Sequence, residues 1–127
     1  MHPRLIALAL AALASAMPWA AMAADTSPAA QLARFAAEAG RPGQPEQGRL
    51  FFTSAHGGKW SCASCHREVP TVSGQHAGSG KTLEPLAPAA NARAFTEQAR
   101  VDKWFRRNCK DVASRECTAG EKADVLA

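Results

Sequence analysis

Residues 60–66, Trp60-Ser61-Cys62-Ala63-Ser64-Cys65-His66 (WSCASCH), decide how the chain is read. Two cysteines three positions apart, with a histidine directly after the second, form the pattern by which a polypeptide carries a haem covalently. Each thiol adds to one vinyl group of the macrocycle, and the adjacent backbone then delivers the imidazole to iron. Cys62 and Cys65 are the expected attachment points of one haem c, and His66 is the expected first axial ligand. Two other chemistries use such residues: a redox dithiol, and a zinc site drawn from the four cysteines at 62, 65, 109 and 117. No βαβ pattern surrounds the motif, which speaks against the dithiol. A four-thiolate zinc site is ill-suited to an exported chain.

Export is read from the beginning of the sequence. Met1-His2-Pro3-Arg4 precedes an apolar run from Leu5 to Met17, and Ala21-Met22-Ala23 suits a signal peptidase. Residues 1–23 are therefore expected to be a signal peptide, and 24–127 a single cytochrome c domain in the periplasm. An uncleaved anchor over Leu5 to Ala24 is the alternative, but Ser15 and Pro18 interrupt it and no basic stop-transfer cluster follows. After cleavage no membrane span is expected. A formal charge of +4 over the whole chain indicates no nucleic-acid partner. A domain this small builds a modest core, to which a porphyrin would add a large rigid apolar body.

The remaining elements read as helices and loops. Ser27-Pro28 supplies a cap and a first-turn proline, and Gly40 a stop, so 28–39 should be a helix with Leu32, Phe35, Ala36 and Ala39 on its apolar side. A turn over 41–45 leads to a short helix from Glu46 to Thr53. Val69 to Asn91 shows no sustained period; a loop so long is expected to wrap something, and no stretch alternates as a strand. Thr96 is placed to cap the next helix. Its residues Val101, Trp104, Phe105, Asn108 and Val112 fall within about 100° of one another, with Arg100, Lys103, Arg106, Arg107 and Lys110 on the other side. That cationic side is either a docking face for an acidic redox partner or an ordinary solvated surface. Trp104 and Phe105 are expected to pack against the porphyrin. Thr118 to Glu121 is a capping box that opens a last helix of about two turns.

The second axial position is the open question. Methionine sulfur is the usual donor in electron carriers, yet the methionines at 1, 17 and 22 all lie in the signal segment. The candidates are His56, His76, Lys81, Asn108, water, or no ligand. His56 precedes the motif in the same loop and would have difficulty reaching the far face; His76 could reach it. Asn108 sits in an apolar face, where an unpartnered amide costs about 1–3 kcal/mol, so iron, backbone or a propionate must satisfy it. Cys109 and Cys117, left over from the motif, could close a short loop worth about 2–3 kcal/mol, or stay as free thiols.

The segments GKTLEPLAPAAN (80–91), FTEQARVDKWFRRNC (95–109) and CTAGEKADVLA (117–127) together resemble the sphaeroides haem proteins, oxygen-binding class I cytochromes c. The resemblance implies an all-α, class I cytochrome c-like domain wrapped around one haem. It also implies that Asn108 is the distal ligand of ferric iron and that Cys109 and Cys117 form a disulfide beside the haem. On reduction the asparagine would leave, oxygen or nitric oxide would bind the ferrous iron, and a dihaem cytochrome c would be the electron donor. Whether the ligand is also turned over is left open. The family pattern continues with a further helical segment past residue 127, so some of its packing is expected to be missing here. The competing expectation is a simple electron shuttle whose sixth ligand, His76 or Asn108, stays on iron in both oxidation states.

Overall fold

The computed structural model describes residues 25–127; the expected signal peptide lies outside them. Helix α1 spans Pro28–Ala39, as its caps predict: Ser27 Oγ accepts the Ala30 N–H at 3.1 Å, and Gly40 ends the helix in the left-handed region. Helix α2, Pro45–Thr53, begins one residue before its expected start, since Pro45 occupies the first turn. Helix α3, Cys62–His66, is a single turn formed by the motif itself. The expected featureless stretch 69–91 contains a small antiparallel pair, β1 (Gly74–Gln75) and β2 (Thr82–Leu83), with Gly74 opposite Leu83. Two residues per strand are too few for an alternating pattern to register. Helix α4 spans Gln98–Ala113 and α5 spans Ala119–Leu126.

The start of α4 differs from expectation for a physical reason. Thr96 does not cap it, because its hydroxyl donates to Arg93 O at 2.9 Å and its carbonyl accepts the N–H groups of Asp25 and Thr26. The free Gln98 N–H is met instead by the Asp25 carboxylate at 2.8 Å. An anion at a helix N-terminus also complements the helix dipole. The chain's first described residue thus anchors the longest helix among the described residues.

Phe35 of α1, Val101 of α4 and Ala123 of α5 are buried together, with Leu32, Ala36, Phe95, Phe105 and Leu126 packed around them. Phe35 meets Phe105 edge to face at 5.6 Å between ring centres. α5 also lies against α2, and this contact depends on the absence of a side chain. A Cβ at Gly48 would stand 1.9 Å from Asp124 O, so only glycine lets the two backbones approach this closely. Asp124 itself is 6% exposed and takes both guanidinium nitrogens of Arg41 at 2.7 Å, plus the Gln44 N–H at 2.8 Å. Arg34 makes a similar tie across the core side, bonding Gln31 and reaching Asp102 of α4 at 2.6 Å. The disulfide Cys109–Cys117, with Cα atoms 5.6 Å apart, joins the end of α4 to the residue before the α5 cap.

Candidate haem-binding site

The motif folds as a helical turn because its two serines cap each other. Ser61 Oγ accepts the Ser64 N–H at 3.2 Å, and Ser64 Oγ accepts the Ser61 N–H at 2.9 Å. At helical spacing this puts Cys62 on the same side as Cys65 and His66, three and four residues later. The far end of the turn is clamped by β1: a Cβ at Gly74 would lie 2.0 Å from Cys65 O. Arg67 follows with φ 69° and ψ 159°, donating its N–H to Ala63 O at 2.9 Å. Both ends of the turn are held before any cofactor is considered.

The donors fit a haem. His66 Nδ1 is buried and has no hydrogen-bond partner, a state that costs about 1–3 kcal/mol in a closed fold. Burial pushes the imidazole pKa below its ordinary value, which keeps the ring neutral, the form that binds metal. Its ring lies 6.4 Å from that of Phe52. Burial also pushes the Cys62 thiol up to about 11, so the surroundings suit a neutral thioether better than a reactive thiolate. Cys65 Sγ accepts the Ala77 N–H at 3.3 Å. The zinc reading fails, because Cys109 and Cys117 are spent on each other and no cluster of metal-binding side chains occurs among the described residues.

Asn108 is half-buried on α4, and its side chain joins none of the hydrogen bonds among the described residues. The buried line of α4 is Val101, Cys109 and Val112, with Phe105 partly buried beside it. The expected line had included Trp104. That residue is 41% exposed in the protein, with Lys103 Nζ 5.8 Å and Arg107 Cζ 5.5 Å from its ring centre.

The histidines weighed against Asn108 are engaged locally. His56 Nε2 lies 2.7 Å from Phe51 O, and the ring stacks on Phe51. His76 Nδ1 accepts the Ser79 N–H at 3.1 Å inside the β1–β2 hairpin, which packs on α3. Lys81 is exposed in that hairpin. Sequence reasoning missed Asn91, whose amide bonds Pro85 O and the Arg93 N–H and so orders the approach to α4. An apolar cleft of about 270 Å³ runs beside Phe52, lined also by Pro70, Leu86, Phe95, Val125 and Leu126. Neither the motif nor Asn108 lines it.

A capped helical turn of Cys-x-x-Cys-His in a small domain whose regular structure is nearly all helix defines a c-type cytochrome. Comparison with known proteins agrees. Residues 38–127 match the family model described as a domain of unknown function, DUF1924. The chain is 47% identical over 119 residues to cytochrome c-type protein SHP of Cereibacter sphaeroides, covering 91% of this chain and 92% of that protein. The chain belongs to this family of cytochromes c. Its fold superposes on oxidised SHP, described as an oxygen-binding cytochrome c, with a TM-score of 0.75 at 49% identity, over 80% of this chain and 94% of the other. The solution structure of cytochrome c'' from Methylophilus methylotrophus, reported for what it reveals of haem-ligand detachment, gives 0.68 at 26% identity over 79% and 89%.

Proposed function

We propose that this chain is an exported, monohaem cytochrome c that takes up one electron and then binds a diatomic molecule, oxygen or nitric oxide. Cys62 and Cys65 would hold the porphyrin by two thioethers, and neutral His66 would ligate its iron. When bound, the haem supplies an iron that passes between ferric and ferrous states and takes a small ligand in the ferrous one. Asn108 would supply the second protein donor to the iron of the oxidised protein. An amide oxygen is a hard donor and suits ferric iron better than ferrous, so reduction would weaken its hold on Asn108 and leave room for a small ligand.

The observation that carries this reading is the position of Asn108. It is half-buried on α4 with a side chain free of hydrogen bonds to the described residues, whereas His56 and His76 are each tied into a local loop. Methionine is ruled out as a donor, because none occurs between residues 24 and 127. The likeness to an oxygen-binding relative and to one known for ligand detachment supports the reading. A signal-like segment at 1–23 supports export.

The test is spectroscopic. Carbon monoxide added to dithionite-reduced protein should shift the Soret band at once, and Asn108→Ala should change the ferric spectrum while leaving the ferrous carbon monoxide spectrum as in the wild type. A ferrous spectrum indifferent to carbon monoxide, with nitrogen ligation in both states, would reduce the protein to an electron shuttle.

A further inference from the structure

We propose that the outward face of α4 is the docking site for an acidic electron-donor protein; this rests on the function proposed above, since a site that opens on reduction needs a donor. Most arginines elsewhere in the fold are neutralised: Arg34 by Asp102, Arg41 by Asp124, Arg49 by Glu46, Arg93 by Glu84 and Arg115 by Glu121. Arg67, Lys59, Lys81 and Lys122 also form no ion pair among the described residues, but they are scattered over separate segments, whereas α4 gathers three such cations on one helix. Lys103, Arg106 and Arg107 are exposed, and no carboxylate of the described residues forms an ion pair with any of them. Lys110 reaches Glu116 only at 3.9 Å. The acid that would neutralise this face, Asp102, is turned toward Arg34, which leaves Asp111 as the one unpaired acid of the helix among the described residues.

Trp104 borders this face on the side of Asn108. Lys103 and Arg107 flank the ring, and Trp104 stands one turn before Asn108. Trp and Arg are the residue types that carry most binding energy once a partner excludes water from them. The unpaired cations supply long-range attraction and orientation for a negatively charged partner. A protein is favoured over a lipid surface or a nucleic acid because the occupant must deliver an electron. One electron leaves the donor's redox centre, which is oxidised by one unit, and ferric iron becomes ferrous; no bond or proton need move in the transfer.

The test uses holoprotein and stopped-flow reduction by the hydroquinone form of an acidic flavodoxin. Lys103→Gln/Arg106→Gln is compared with Lys59→Gln/Lys81→Gln, which removes the same charge from other elements. At low salt the α4 pair should slow the second-order rate about tenfold, and the control pair less than about twofold, with the difference vanishing at high salt. Reduction by hexaammineruthenium(II), too small to dock, should stay within about twofold in both. Equal slowing by the two pairs, or none, overturns the proposal. So does binding to phosphatidylglycerol vesicles that the α4 pair abolishes while flavodoxin kinetics are unchanged. Carbon monoxide binding by the same samples reads the proposed function independently, so a failure of one is distinguishable from a failure of the other.

Discussion

Arg67 follows His66 in a backbone conformation, φ 69° and ψ 159°, that glycine enters freely and that costs a side-chain-bearing residue about 1–3 kcal/mol. It persists because the Arg67 N–H closes the motif turn on Ala63 O while Gly74 presses on Cys65 O, leaving the chain no other exit. Arg67→Gly should therefore raise the thermal midpoint, by a net of about 1 kcal/mol once glycine's larger unfolded-state entropy is allowed for. Arg67→Ala should leave it nearly unchanged, because alanine meets the same steric limit. Urea titration of both variants separates this from any effect of the lost charge. Nothing in the residues around position 67 betrays the strain, since an arginine is ordinary almost anywhere on a surface. The motif stands out for the opposite reason: the attachment proposed for it calls for particular atoms at a particular spacing, which Cys62, Cys65 and His66 supply. Asp25 does not stand out, because its partner, the Gln98 N–H, lies far along the chain.

Among the elements, α5 is held by features that act on backbone rather than on apolar area. Gly48→Ala would drive a methyl group into the Asp124 carbonyl and should cost about 2–3 kcal/mol by overpacking, visible as a lower urea midpoint with an unchanged slope. The Asp124 carboxyl is held below the ordinary carboxylate range chiefly by its hydrogen bond from Arg41, with the Gln44 N–H assisting. Its folded pKa is depressed, so its stabilisation is complete above the unfolded value of about 4 and is lost as pH falls through the folded value. Thermal midpoints should decline below about pH 4. Asp124→Asn, costing about 2 kcal/mol at neutral pH, should flatten that decline. Sequence patterns revealed α1 because Ser27, Pro28 and Gly40 mark both its ends. They misplaced the α4 cap, since whether Thr96 serves the helix ahead or the turn behind depends on Arg93.

At the scale of the whole molecule, the apolar core of the described residues is small. Phe35, Val101 and Ala123 make a small buried core, and covalent closure compensates for its size. Replacing Cys109 and Cys117 by serine should cost about 2–3 kcal/mol, seen as a lower thermal midpoint in the holoprotein. The helical architecture was legible from composition and caps, whereas the association of α2 with α5 was not, because it is written in a missing side chain and one buried carboxylate. The disulfide bears on more than stability. Asn108 is joined directly to Cys109, which is bonded to Cys117 ahead of α5, so its main chain has little room to retreat. On the function proposed above, the amide would depart by rotation about its own side-chain bonds. Such a latch would move in nanoseconds rather than by segmental unfolding, so gas entry into the reduced protein should follow electron arrival without a lag.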